Sequence, residues 1–442
     1  MIRILKFKLM KAVFKMLFFL FFFNYGLIQA QSPRITKCNI DAINIIMEDI
    51  FSPPVASRIH VYGNIAAYEV LCKAPKSPLK SLYGQIAHIP SISEPKEAIH
   101  YEAAANFAFI KITRKLVFSE HLADSMLVNE RHYWIDILKN DTLIKASERY
   151  AEQVKNELMP WIQKDGYIYT RTLERYKLSD SLGAWQPTPP EYHNGLEPNW
   201  MYIRKLTYDS LEFEPYTPNY PYSEKKTSPF YKEAMKVYKC FAKDSQKRAE
   251  TAWYWDCNPA TTISSGHLSY VVKKPTPGGH WLKITTQTVH NQKMNYIDAT
   301  ELYAVVSIAM FEGFIQCWAS KYLSNSIRPE TYIQRVIDKS WNPLIETPPF
   351  PEYTSGHSVV SAAISSILTH YIKQPYSFYD SSQMFLDMKP RFFKSFLDAS
   401  QEASMSRFYG GIHFMPALDV GRKMGFQISK RILNRIKTRR RN

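Results

Sequence analysis

Three short segments in the last third of the chain carry residue types suited to one chemistry. The first is Lys321-x6-Arg328-Pro329. That spacing is about two helical turns, so both cations can share one face. Pro329 disfavours helix at Arg328 and suits the start of the next helix, which puts Arg328 at a junction. Lysine supplies a compact charge and arginine a planar fork, and both match the oxygens of a tetrahedral anion. The second segment is Thr354-Ser355-Gly356-His357, preceded by Pro348, Pro349 and Pro351 and followed by an apolar run from Ser358. The free amides and positive end of a helix start favour an anion. Gly356 permits close backbone approach, Ser355 adds a hydroxyl donor, and His357 adds an acid or base. The third is Ser406-Arg407-x5-His413. Gly410 and Gly411 break the helix, so the chain can turn and bring Arg407 to His413, and Pro416 opens the last helix. Close to a helix start His413 prefers its neutral form, which a metal ligand or a nucleophile requires.

Each segment alone has an ordinary reading: exposed helix cations, an N-cap with an incidental histidine, a histidine hydrogen-bonded in a turn. Together they describe one site for a four-oxygen anion. Glu312 lies nine residues before Lys321 on the same predicted helix and is expected to orient an arginine from behind that site.

The segments KYLSNSIRP, TSGH and SRFYGGIH resemble the motifs K-x6-R-P, P-S-G-H and S-R-x5-H of the superfamily that unites vanadium-dependent haloperoxidases and type-2 phosphatidic acid phosphatases. The matched region is roughly 301–425, and GGIHFMPALDVGRKMG looks like secreted bacterial haloperoxidases. Upstream, ETAWYWDCNP and GGHW resemble the earlier part of those chains. The sequence departs at Thr354, where the family has proline, and at Ala417, where many members carry an aspartate four residues after the last histidine. Asp419 is the candidate substitute for orienting His413, although helix geometry turns it to another face; a backbone carbonyl is the alternative.

The resemblance implies two activities. As a haloperoxidase, the chain would bind vanadate with His413 as the metal ligand. Lys321, Arg328, Arg407, Ser355 and the Gly356 amide would neutralise the oxygens, with His357 as acid–base partner to hydrogen peroxide and Lys321 polarising the bound oxidant toward halide. Iodide or bromide is expected over chloride. As a phosphatase needing no cofactor, His413 would attack phosphorus and His357 would protonate the leaving oxygen of a phosphate ester. The haloperoxidase reading is preferred, partly because the orienting aspartate is missing. A helical binding protein with a relic site is the third reading.

Helical periodicity dominates the elements that must position these residues. Helices are expected over 103–116, 147–161, 231–251, 295–323, 358–372 and 416–436, with irregular or Pro-rich connections over 187–199, 217–229 and 258–281. The segment from Ser358 is apolar almost all round and is therefore central. No internal repeat and no strand-rich block is evident. The expected class is all-α, packed helical bundles, in two regions: 31–230, mainly helical, and 231–442, which carries the site.

Composition agrees with a folded enzyme. The chain has 442 residues, 45% of them apolar, which excludes a disordered class. Arg3, Lys6, Lys8, Lys11 and Lys15 precede an apolar run from Met16 to Phe23 and a small residue at Ala30, the pattern of a secretory leader over 1–30. The run is short for a membrane span of about 20 residues; an uncleaved anchor is the alternative. A secreted or periplasmic protein is expected, with membrane contact only through the leader. Loss of those five charges leaves +11 of the +16, much of it in a basic tail (Lys430 to Arg441) read as a solvated end. No nucleic-acid module is evident. Five cysteines exclude a disulfide scaffold; Cys240 with Cys257, and Cys38 with Cys72, are candidate pairs, and Cys317 is read as a packed thiol. Small-molecule substrates are the expected partners.

Overall fold

The computed structural model describes residues 32–440 apart from 208–217, 219–220, 241–244, 260 and 266–267. The expected leader lies outside the described residues.

The described chain is mainly helical. The amino-terminal part contains α1 (Ile35–Glu48), α2 (Pro53–Cys72), α3 (Tyr101–Arg114), α4 (Glu120–Leu138), α5 (Asp141–Gln163) and the short α6 (Tyr167–Thr172). Then come α7 (Pro229–Cys240), α8 (Ser245–Tyr254), a hairpin of β1 (Thr261–Ser265) and β2 (Leu268–Val272), and α9 (Pro277–Asn291). The last part holds α10 (Tyr296–Ser324), α11 (Pro329–Val336), α12 (Gly356–Ile372), the hairpin strands β3 (Phe378–Asp380) and β4 (Arg391–Phe393), α13 (Phe396–Tyr409) and α14 (Met415–Arg435). Both hairpins are antiparallel; β1 pairs Thr261 with Val272, and β3 pairs Phe378 with Phe393. The all-α class stands, with these two hairpins as minor additions.

The axis of the molecule is α10. Asn295 caps its start, the side chain accepting from the Asp298 amide, and Asn325 ends it in the left-handed region at φ 45°. Among the described residues it is the one helix long and apolar enough to cross a membrane, and its apolar stretch is wholly buried. Helices α2, α12 and α14 pack around it. One apolar core runs from Ile35 to Ile436, so helices on both sides of residue 230 share it. The α12–α14 contact requires small residues: a Cβ at Gly425 would lie 2.3 Å from the Val359 carbonyl oxygen. That contact fixes the start of α12, with its Ser355-Gly356-His357 corner, against the segment that carries His413.

Four expectations are corrected. The helix expected over 231–251 is two helices, α7 and α8. The segment 258–281, expected to be irregular, holds a hairpin and the start of α9, where Pro277 occupies the first turn and Thr276 caps it, accepting from Gly279. No disulfide forms among the described residues: all five cysteines are free and buried. The tail read as solvated is tied down as well. Arg439 pairs with Asp298 and Glu301, Arg440 donates to the Leu79 carbonyl at 3.0 Å, and Leu79 and Arg439 form an antiparallel bridge.

Candidate active site

The three motif segments converge. Gly356, His357, Arg407 and His413 line one cavity of about 390 Å³. Lys321, Arg328 and Ser355 sit directly behind that wall and are fully buried. Lys321 and Arg328 do not share a helix face, because α10 ends at Ser324. Instead the chain reverses at Asn325 and enters α11 through Arg328, its extended N-cap residue (φ −82°, ψ 153°). The loop before them pins this junction: Trp185 N donates to Asn325 O at 2.9 Å and Ile327 N to Gly183 O at 2.9 Å.

The cations are held by carbonyls, which leaves their charge uncompensated. Lys321 Nζ donates to Pro351 O and Glu352 O, each at 3.0 Å. Arg328 donates to Phe350 O at 3.0 Å and Ile412 O at 2.9 Å. Arg407 donates to Trp255 O at 3.0 Å, and its nearest carboxylate, Asp256, is 3.9 Å away and itself paired with Lys274 at 2.7 Å. Burial, with a smaller push from the Arg328 charge, pulls Lys321 down to about 7. The Arg407 Nε and the His357 Nε2 have no hydrogen-bond partner. An unpartnered buried guanidinium N–H and an unpartnered imidazole nitrogen beside three cationic side chains suit an oxyanion that can take hydrogen bonds and charge there.

On the α12 side, Ser355 is the N-cap: its side chain accepts from Ser358 N at 3.3 Å, leaving its hydroxyl proton free. His357 is held by the Trp255 carbonyl, and burial followed by the Arg407 charge keeps it neutral. At the other end, α13 stops at Tyr409 and Gly411 adopts φ +80°, a left-handed turn that glycine accommodates. The chain thereby doubles back and sets His413 near Arg407.

The orienting group for His413 is Glu352. His413 Nδ1 lies 2.7 Å from Glu352 Oε1, which also accepts from the Phe414 amide at 3.1 Å. Burial and the charges of Arg328, Lys321 and Arg407 hold His413 well below the usual histidine range. Burial pushes Glu352 up to about 7 against the pull of Arg328 and Lys321. Because that carboxylate oxygen already accepts from a backbone amide, the neutral ring donates to it through Nδ1–H, and Nε2 keeps its lone pair, facing Arg328 Nη1 at 3.1 Å.

Two expected carboxylates are corrected. Asp419 is exposed on α14, whereas His413 is buried and held by another carboxylate. Glu312 does not orient an arginine of the site: it accepts from the Leu206 and Thr207 amides, and the charges acting on it are Arg431 and Lys205. Sequence reasoning missed Glu352 because nothing in the Pro-rich loop FPEYTSGH marks it except its place just before the motif. It also missed Asp256, although the segment containing it was singled out. With Glu352 in place, the absence of an aspartate at Ala417 no longer separates a vanadate ligand from a nucleophilic histidine.

The wall facing the anion end is apolar, built from Phe314, Trp318, Phe350 and Ile412. Lys321 Nζ lies 4.9 Å from the Phe350 ring centroid. Among the described residues no group of three or more His, Cys, Asp or Glu forms a cation site. The three buried cations and the amides at the start of α12 suit a tetrahedral oxyanion.

Comparison with known proteins gives the same answer. Residues 301–442 match the family model of the VCPO second helical-bundle domain. No curated protein matches the chain. Among solved structures, the first bacterial vanadium-dependent iodoperoxidase is 40% identical, with 92% of this chain and 97% of that one covered and a TM-score of 0.85. Apo-type and holo-type bacterial vanadium-dependent chloroperoxidases are each 14% identical, with TM-scores of 0.62 and 0.64 over 87% and 88% of this chain, or 95% and 93% of theirs. At that identity these two attest the fold alone.

Proposed function

The chain belongs to the vanadium-dependent haloperoxidases, and from that premise we propose that vanadate is its resident cofactor and iodide its preferred halide. The observation that carries the proposal is the buried cradle of Lys321, Arg328 and Arg407, none bonded directly to a carboxylate, around a neutral His413. Iodide is favoured by the near full-length similarity to the iodoperoxidase.

When bound, vanadate supplies a Lewis-acidic centre that activates hydrogen peroxide for oxidation of a halide to hypohalous acid. The chain supplies the rest. His413 Nε2 is the ligand atom, and Glu352 fixes its tautomer and direction. Lys321, Arg328 and Arg407 balance the negative charge, and the Ser355 hydroxyl and the amides at the start of α12 donate to oxygens. His357, neutral and with Nε2 free, takes a proton from incoming peroxide and returns one to departing water. Phe314, Trp318, Phe350 and Ile412 keep bulk water from the halide.

Residues 1–30 support export as part of the same proposal, and a mature protein beginning near Gln31 is expected by mass spectrometry of the exported chain. The deciding assay loads the purified protein with orthovanadate and measures peroxide-dependent oxidation of iodide and bromide. Vanadate-dependent turnover, faster with iodide, is expected. Hydrolysis of a generic phosphomonoester with no vanadate-dependent halide oxidation would overturn the proposal.

A further inference from the structure

A second set of chemically active residue types borders the same cavity and plays no part in the scheme above. Cys257 lines the cavity that holds Arg407 and His413. Its Sγ lies 3.5 Å from His280 Nδ1, and the opposite nitrogen of that ring, Nε2, lies 2.7 Å from Asp380 Oδ2. All three residues are buried. They come from the loop after α8, the first turn of α9 and the end of β3, so the fold assembles them from three distant places.

The set is braced on every side. Trp255 stacks on the His280 ring, with centroids 4.4 Å apart and planes at 17°. Asp380 Oδ1 accepts from the Ser382 amide at 2.9 Å, and its carbonyl accepts from Tyr254 at 2.7 Å. Gln383 Nε2 stands 2.9 Å from the same His280 Nδ1, while its Oε1 has no partner. Arg407 and Lys283 lie close to the sulfur. Burial opposes a second proton on His280, but the Asp380 charge and hydrogen bond outweigh it and push the ring up to about 9. A carboxylate–imidazole–thiol chain is the arrangement that activates a sulfur nucleophile. The other four cysteines are also buried, and among the described residues no histidine is hydrogen-bonded to any of them.

We propose that Cys257 is a peroxide-oxidisable thiol, a modification site in the cavity wall activated by His280 and Asp380. It rests on the haloperoxidase reading only in that hydrogen peroxide enters this cavity as a substrate. Sγ attacks one oxygen of hydrogen peroxide, and the S–O bond forms as the O–O bond breaks. The sulfur gives up two electrons. The departing hydroxide takes the thiol proton by way of His280 Nδ1 and leaves as water. The product is a sulfenic acid, which thiols reduce back. Its oxygen occupies the cavity beside Arg407, so oxidation slows the enzyme while peroxide is in excess and reduction restores it.

The test uses the full vanadate-free protein, so a failure of halide oxidation leaves its result untouched. The protein is exposed to hydrogen peroxide, then unfolded in the presence of dimedone and mapped by mass spectrometry. The adduct is expected at Cys257 and not at Cys38, Cys72, Cys240 or Cys317. Asp380→Asn should slow Cys257 oxidation about tenfold. In vanadate-loaded enzyme, Cys257→Ala should keep the iodide turnover seen at low peroxide and lose the dithiothreitol-reversible decline at high peroxide. Two results overturn the proposal: Cys257 left unmodified, or oxidised equally fast in a folded Asp380→Asn variant. If that variant does not fold, the unaltered chain decides: Cys257 must oxidise faster in the native protein than in the unfolded chain, and a slower native rate refutes the site.

Discussion

His413 needs one nitrogen free and the other committed, and Glu352 enforces both. Its carboxylate accepts from Nδ1 and from the Phe414 amide, so ring and backbone are fixed together. Outer carboxylates of this kind are worth about 10–100-fold in metal affinity. Glu352→Ala should therefore weaken vanadate binding by about that factor, measured by equilibrium dialysis. Glu352→Gln, which still presents an oxygen acceptor, should lose much less. Equal losses in the two variants would mean that Glu352 acts by charge rather than by orientation.

Helix α10 carries a different carboxylate for a different purpose. Glu312 reaches out of the axis to receive the Leu206 and Thr207 amides, which anchors the segment after the short 3-10 turn Trp200–Tyr202 to the core. Burial, only partly offset by those amides, pushes Glu312 up to about 7. The folded state therefore holds this proton more tightly than the unfolded chain does. The associated stability is complete below the ordinary glutamate value of 4.5 and is lost as pH rises through about 7. The limit of the effect is ~3 kcal/mol. Denaturant melts at about pH 5 and about pH 8 should show a larger loss for the unaltered protein than for Glu312→Gln, which cannot ionise. Parallel losses would place the proton elsewhere.

For the molecule as a whole, the cradle of three cations is a source of self-repulsion that a tetrahedral anion relieves. Inorganic phosphate, which shares the shape and charge of vanadate, should raise the melting temperature, by ~2.7 kcal/mol of added stability at a hundredfold excess over its Kd. Arg407→Ala should remove most of that gain, and an equal rise in the variant would put the anion at another site.

Much of this molecule can be read in its residues. The three motif segments are legible because short spacings, Pro329 and the Gly410–Gly411 pair fix local geometry. The ends of α10 and α12 fall within two residues of expectation, because caps and apolar runs mark them. By contrast α2 is buried on every face, so it shows no polar stripe for periodicity to reveal. Glu352, Asp256 and the Cys257–His280–Asp380 set were not legible as partners, because tertiary packing joins them across the chain: Glu352 and His413 are 61 positions apart, and His280 and Asp380 are 100 apart. The tethered tail was misread for the same reason: its acidic partners, Asp298 and Glu301, lie on α10, far away in the chain.

That tether joins the two extremities of the described fold. Thr438 O accepts from the Tyr68 hydroxyl at 3.0 Å, and Lys80 N donates to the same oxygen at 2.8 Å. Trimming a handful of residues after Ile436 would thus strip the lid from Glu301, leave an acid stranded in the interior, and loosen helices laid down at the opposite end of synthesis.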